Sequence, residues 1–341
     1  MKGLNFYDKF IFVVNSAAAA VLLIAYILPY LAPKSFGLLS VLSLTVPFLI
    51  ILNLLFFLYW LLRVKKQLVL SLVVLLIGYK YISSLYKFSA SDTSAVESEL
   101  ALMSYNVRLF NVYNWIDEDN IGEQIMTFIH DENPDIVCFQ EFHPDEQVKS
   151  DTYPYKFEEL SGTRMRYGQA IWSKYPFVNK GSIAFQNTAN NAIFADVVNG
   201  QDTIRIYNVH LQSSGIKADI EPLEKTNSRR LIRRVANTFR MQQEQAGQVI
   251  EHMKTSPYKT VVCGDFNNTA YSYVYRQIKG DLNDTFEAAG QGFGRTFTFK
   301  YFPVRIDFIL ADPVFRINGF KTFNVNLSDH YPILSSLSLG E

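Results

Sequence analysis

The chain has 341 residues, 49% of them hydrophobic and 19% charged, with 32 basic and 32 acidic side chains. That apolar and aromatic content excludes a disordered chain, and two cysteines exclude a disulfide-stapled miniprotein. The zero net charge averages two unlike regions. Residues 1–89 carry eight Lys/Arg against one acid, Asp8, which leaves 24 basic and 31 acidic groups, a net of −7, for residues 90–341.

Three apolar runs fill the first region, at 10–32, 38–62 and 68–85. About 20 residues at a rise of about 1.5 Å cross a ~30 Å hydrocarbon core, so the first two are long enough and the third just qualifies. Lys80 lies near the end of the third run, where its stem can snorkel to the headgroups. Three transmembrane helices are therefore expected in a membrane anchor over 1–88, with two spans plus an interfacial helix as the alternative. Lys2 and Lys9 precede the first run, and Arg63, Lys65 and Lys66 separate the second from the third. The positive-inside rule then predicts a multi-pass integral membrane protein with everything after the third span on the extracytoplasmic side.

Residues 89–99 (SASDTSAVESE) are small, polar and acidic and read as a linker. Residues 100–339 are long enough for one large domain. Strand-like runs dominate it, at 100–105, 136–139, 170–172, 192–198, 203–209, 260–263, 296–299, 306–310 and 333–337. Helical stretches are fewer, chiefly 121–130 and 228–253, the latter with Ser228 as its expected N-cap. Many buried strands with a few helices predict stacked sheets covered by helices.

Polar residues end those strands. ALMSY is followed by Asn106, DIVCFQ by Glu141, IRIYNV by His210, and VVCG by Asp265 with Asn267 two residues on; Asp307 lies inside RIDFIL, and Asp329–His330 precede the last strand. One such ending is unremarkable, but strand ends at one edge are where rigid scaffolds hold functional groups. Glu141 and the aspartates are hard oxygen donors, suited to Mg²⁺ or Mn²⁺. Asn and His side chains suit phosphate oxygens, and an Asp beside them suits proton transfer from water. No HExxH, paired CxxC, GxSxG, Walker loop or GxGxxG is present. Metal-assisted phosphate-ester hydrolysis is the chemistry that remains.

Taken in order, NVRLF from Asn106, PDIVCFQE ending at Glu141, YGQAIWSKYP at 167–176, NVHLQS around His210, CGDFN at 263–267, RIDFIL around Asp307 and SDHYPI around His330 resemble the endonuclease/exonuclease/phosphatase superfamily. The resemblance implies a four-layer α/β sandwich, two packed mixed β-sheets flanked by helices, and a divalent-metal phosphoesterase. It implies Glu141 as main metal ligand with Asn106 beside it and Asp329 near the metal. It further implies Asp265 orienting or deprotonating water, Asn267 and His210 on the phosphate, and His330 on the phosphate with Asp307 orienting it.

Other candidates have plainer readings. His143 reads as a solvated loop histidine, and His130 and His252 fall in helical stretches without a role. Trp172, Tyr271, Tyr273 and Tyr275 read as packing, and Cys138 and Cys263 as buried strand cysteines rather than a disulfide. Residues 225–240 hold six basic groups and no acid. Arg229, Arg230, Arg233 and Arg234 there oppose the helix dipole, which makes them candidates for contact with an anionic substrate or headgroup, against a solvated helix face.

The expected function is a membrane-anchored phosphodiester hydrolase, acting on nucleic acid or on a phospholipid headgroup. A phosphomonoesterase of the inositol-phosphate type is the alternative. A non-catalytic tethered module would show losses among the metal and phosphate residues, and none is missing. The bilayer is the expected partner, and no protein partner is expected.

Overall fold

A computed structural model describes residues 4–88, 100–145, 148–163, 165–215, 228–299 and 302–340. The expected linker at 89–99 and residues 225–227 of the basic segment lie outside the described residues.

The N-terminal region is a small helical bundle. Helix α1 (Phe6–Ala25) is followed by a 3-10 turn (Leu28–Tyr30), α2 (Pro33–Ser40), a second 3-10 turn (Val41–Thr45), α3 (Val46–Leu62), α4 (Leu68–Ile77) and α5 (Tyr79–Leu85). Two stretches, Phe6–Tyr30 and Pro33–Leu62, are long and apolar enough to cross a membrane. The third expected run bends by 76° between α4 and α5, and it qualifies only if that pair counts as one span. The bend falls at Gly78, where a Cβ would meet the Tyr26 ring.

Helices α1, α3 and α4 pack together around polar residues. Asn15 donates to Ser71 Oγ at 2.8 Å and accepts from Trp60 Nε1 at 3.0 Å. Asp8 accepts from Tyr59 and Arg63 at 2.7 and 2.9 Å. That pairing sets the N-terminus and the Lys/Arg-rich turn after α3 together at one end of the bundle. The opposite end meets the domain.

That domain holds β1 (Leu100–Asn106), α6 (Ile121–Glu132), β2 (Ile136–Phe142), β3 (Tyr155–Ser161), β4 (Tyr167–Ser173), β5 (Phe177–Ala184), β6 (Asn191–Asn199) and β7 (Asp202–His210). It continues with α7 (Ser228–Lys254), β8 (Lys259–Asp265), α8 (Tyr273–Lys279), β9 (Asn283–Asp284), α9 (Thr285–Ala289), β10 (Asp307–Ala311), β11 (Phe315–Thr322) and β12 (Ile333–Leu339). The strands form two six-stranded mixed sheets, ordered β11-β12-β1-β2-β4-β3 and β5-β6-β7-β8-β10-β9.

Period-two alternation explains why the central strands are apolar throughout. Leu102, Cys138, Ile206 and Cys263 point into the space between the sheets. Met103, Tyr105, Val137 and Phe139 point outward and are covered by α6 residues such as Ile125 and Ile129. On the other sheet, Tyr207, Val209 and Val262 are covered by Ala246 and Val249 of α7 and Val274 and Ile278 of α8. The layers run helix, sheet, sheet, helix, which is the expected four-layer sandwich. Both cysteines are free and buried.

Four differences from the expected elements have physical causes. β3, β5 and β11 are half-exposed, charge-bearing edge strands whose sequences lack an apolar run. The expected strand at 296–299 is instead a loop with isolated bridges from Phe297 to Val304 and to His330. Ser228 is the first helical residue of α7 rather than its cap. Short α8 and α9 start at side-chain caps, Ser272 and Asp284, which their few residues mask in any periodicity count.

Candidate active site

Strand register assembles the site. Parallel pairing of β7 with β8 sets His210 opposite Asp265, and antiparallel pairing of β10 sets Asp307 opposite Asp265 from the other side. Three polar side chains thus stand in a row across one sheet. In the other sheet, β1 and β2 pair Asn106 with Gln140, one residue before Glu141. Asn106 Nδ2 donates to Asp265 Oδ2 at 3.1 Å and so joins the two sheet ends. Gly264, at φ +131°, allows this convergence, because a Cβ there would lie 2.0 Å from the Val209 carbonyl oxygen.

Several of these residues hold left-handed backbone: Arg108 at φ +43°, Glu141 at +50° and Asn267 at +49°. Non-glycine residues in that region cost about 1–3 kcal/mol each and persist where surroundings over-determine them. At Glu141 the strain accompanies an irregularity in the β2–β4 register between Phe139 and Phe142, which turns the chain out of the ladder at the site.

Asp265 is buried and heavily coordinated. It accepts from the Asn267 backbone N–H at 2.7 Å and from Asn267 Nδ2 at 3.1 Å, as well as from Asn106. Burial pushes its carboxyl up to about 7 against the pull of His330, with Asp307 repelling it further. His330 is 5% exposed, and its Nδ1 lies 3.1 and 3.0 Å from the two Asp307 oxygens. Burial, the largest single influence, pulls this ring down, yet the Asp307 and Asp265 carboxylates together outweigh it and hold it at about 10. His210 lies 3.6 Å from Asp265 and 3.9 Å from Glu141. Burial first, then the His330 charge, lowers it to about 3, so its ring is neutral near pH 7. Glu141 is raised, by burial first.

Among the described residues, two groupings have donors for a divalent cation. Asp265, Asp307 and His330 offer ligand atoms within 4.8 Å of one another. Both Asp307 oxygens there already face the His330 ring, so a cation would displace that bond. Glu141 fits a hard cation better. Its side chain is one-third exposed, and its ion-pair contact, His210, is a neutral ring. Asn106 is its hydrogen-bonding neighbour, and Asp329 adds negative charge nearby.

All eight expected site residues come together at this end of the sheets. Asp329 pairs with Arg108 at 3.3 Å. Arg229, Arg230, Arg233 and Arg234 do not join the cluster; they are exposed on the first turns of α7. Arg234 approaches the rim, 3.4 Å from the Gly215 carbonyl oxygen. Of the other histidines, His143 Nδ1 lies 2.7 Å from the Arg166 carbonyl oxygen and His252 Nδ1 lies 2.8 Å from the Tyr207 hydroxyl.

Four supporting residues went unassigned in the sequence. Arg108 lines the site and stacks over Trp115 at 4.3 Å. Ser328 donates to the Asn106 carbonyl oxygen at 2.8 Å and accepts from the His330 backbone N–H at 3.2 Å, which ties the end of β1 to the segment before β12. Gln140 donates to Asn208 at 2.6 Å across the sheets. The available signal was a polar residue interrupting an apolar strand (FQE, YNV), since buried polar groups need partners.

Two mixed sheets ending on a shared cluster of carboxylates, amides and histidines define a sandwich hydrolase built for an anionic, oxygen-rich substrate. The model described as Endonuclease/Exonuclease/phosphatase family matches residues 103–330, and the chain belongs to that family. Residues 8–85 match a domain of unknown function. A family member from Bacteroides vulgatus superposes with TM-score 0.56 at 20% identity, covering 71% of this chain and 99% of that one. The mannosyl-6-phosphatase of Bacteroides thetaiotaomicron gives 0.53 at 19%, covering 70% and 100%. D. rerio TDP2 complexed with single-strand DNA product gives 0.53 at 19%, covering 70% and 98%. At these identities the likeness is one of fold. No curated protein matches. The family is divalent-metal-dependent and acts on phosphate esters, so the protein is a phosphoric ester hydrolase.

Proposed function

We propose that the protein is a multi-pass membrane enzyme whose sandwich domain, residues 100–339, hydrolyses phosphodiesters on the extracytoplasmic side with Mg²⁺ or Mn²⁺. The observation that carries this reading is the convergence of Asn106, Glu141, His210, Asp265, Asn267, Asp307, Asp329 and His330 at one end of the two sheets, where Glu141, Asp265, Asn267, Asp329 and His330 line a cavity of about 960 Å³ to which Arg108 also contributes. Residues 1–88 act as the anchor and residues 89–99 as the linker.

Glu141 and Asn106 would hold the cation, with Asp329 nearby. When bound, it polarises the ester and stabilises the leaving oxygen. Asp265, held by three N–H groups, orients the attacking water and takes its proton. Asn267 holds the phosphate. His330, kept cationic by Asp307, faces the phosphoryl oxygens as negative charge grows there, and neutral His210 donates an N–H to the same oxygens. The P–O bond to water forms as the P–O bond to the leaving alcohol breaks. Among the described residues the cationic groups at the reaction centre are few, and Arg108 is already paired with Asp329, which suits a singly charged diester better than a dianionic monoester.

The test uses the full-length protein in detergent with Mg²⁺, bis(p-nitrophenyl) phosphate and p-nitrophenyl phosphate. Diester turnover should exceed monoester turnover. Glu141→Gln keeps the shape but removes the charge that attracts a hard cation, and should lower turnover by about two to four orders of magnitude. Unchanged Mg²⁺-dependent turnover in that variant would overturn the assignment.

A further inference from the structure

The cavity that holds the reaction centre does not end with the sandwich. Its polar wall is catalytic-domain chemistry, but its far wall is built by the N-terminal bundle: Leu44 in the second 3-10 turn, Pro47 and Phe48 at the start of α3, and Ser84 and Leu85 at the end of α5. Leu44, Pro47 and Phe48 belong to the Pro33–Leu62 stretch that is apolar enough to cross a membrane. One loop of the sandwich reaches both walls. Its Phe297 ring lies 4.9 Å from the His330 ring, and its Phe302 ring lies 4.5 Å from Phe48. Phe302 also packs against the buried core of the bundle, and Phe293 adds a further exposed aromatic surface.

The two parts are fixed to each other around this cavity. The Tyr271 hydroxyl donates to the Tyr81 carbonyl oxygen, Ser84 bonds Glu287, Arg276 stacks over Tyr30 at 4.1 Å, and the Lys34 backbone donates to Gln243 of α7 at 2.8 Å. A polar, phosphate-ready end therefore continues into an apolar end at the mouth of the bundle. A water-soluble polyanion has no use for that second end, and the sandwich domain, with 24 basic and 27 acidic groups over residues 100–339, lacks the general basic field that nucleic acid favours.

Resting on the proposed hydrolase reading, we infer that the substrate is a lipid-borne phosphate ester: the headgroup phosphate sits between Glu141 and His330 while the chain lies along Leu44, Phe48, Leu85 and Phe302, entering from the bilayer. The anchor is then part of the substrate site and not only a tether.

The probes are p-nitrophenyl methyl phosphate and p-nitrophenyl hexadecyl phosphate, which share leaving group and charge and differ only in the chain. In each, water attacks phosphorus, the aryl P–O bond breaks, nitrophenolate leaves with the electron pair, and the water proton passes through Asp265 to solvent. Full-length protein in mixed micelles should turn over the hexadecyl ester at least about tenfold faster in kcat/KM, because burying methylenes is strongly favourable. Phe48→Glu should cut that hexadecyl-to-methyl ratio at least about tenfold, and Phe293→Glu, at an exposed loop, should cut it if Phe48→Glu fails to fold. Comparing ratios between variants cancels micelle partitioning. A hexadecyl phosphate carrying a diazirine in its chain should cross-link to peptides spanning 44–48 or 293–302, a readout independent of turnover.

Equal turnover of both esters, or faster cleavage of single-stranded DNA or RNA than of the hexadecyl ester, would overturn the lipid inference and leave the hydrolase standing. Cross-links confined to other surfaces would overturn it at any turnover. Cross-linking at the predicted wall with no hydrolysis of either ester would support the lipid site and overturn the hydrolase reading instead.

Discussion

Both halves of this protein bury polar side chains, and they treat them in opposite ways. In the bundle, Asn15 meets Ser71 and Trp60 at 2.8 and 3.0 Å, and Asp8 meets Tyr59 and Arg63 at 2.7 and 2.9 Å. Those are ordinary hydrogen-bond lengths, and partners are matched one to one. In the sandwich, His210 faces Asp265 and Glu141 at 3.6 and 3.9 Å, and His330 faces Asp265 at 3.7 Å. These are titratable groups standing past hydrogen-bonding range of one another around a gap. Paired polar groups such as Asn15 and Asp8 hold the bundle helices together. Burial at the gap raises Glu141 and Asp265 and lowers His210, which marks a place where something else is meant to bind.

The comparison predicts different consequences for breaking each region. The largest concerns placement. The Asp8–Arg63 pair and the following Lys65 and Lys66 lie at the end of the bundle away from the sandwich, so a reporter fused after residue 90 should be active only in the exported compartment. Activity in the cytoplasm would invert the orientation.

Next comes the His330–Asp307 pair. His330→Gln or Asp307→Asn should each lower turnover by about two to three orders of magnitude, and the double variant should cost little more, because residues acting as a unit are not additive. The pH profile supplies the sign. Activity should rise as Asp265 ionises, at or below about 7, since a nearby cation lowers that value. It should fall as His330 loses its proton near 10. Asp307→Asn removes the strongest raising influence on that ring, so the alkaline limb should move to lower pH. Losses that simply add, with an unchanged profile, would separate the two residues.

The smallest effect belongs to the bundle. Asn15→Ala strands Ser71 and Trp60 and should cost about 1–2 kcal/mol of stability, read as a lower unfolding midpoint in detergent. Its pH–rate profile should match that of the unaltered protein. A shifted profile would mean that the bundle core tunes the site electrostatics.

How much of this was legible in the sequence follows the same division. The central strands were visible because both faces are buried, as in ALMSY and IRIYNV, and the residues that end them gave the site. The edge strands β3, β5 and β11 were not visible, because YKFEELS and FRINGFKT carry the charges that edges need. Arg108 and Ser328 stood inside recognised motifs but took their meaning from partners distant in sequence, Asp329 and Asn106. The apolar wall supplied by Phe48 and Leu85 was hidden for a related reason. Within a membrane run, a side chain facing a cavity reads the same as one facing lipid.

The measurement that bears most directly on the central claim is an anomalous difference map from crystals of the full-length protein grown with Mn²⁺. The account predicts a peak bonded to the Glu141 carboxylate beside Asn106, with the His330–Asp307 contact intact, and its loss in Glu141→Gln. A peak seated instead among Asp265, Asp307 and His330, unaffected by that substitution, would contradict the assignment of the metal and with it the role of His330 as the cation that faces the phosphate.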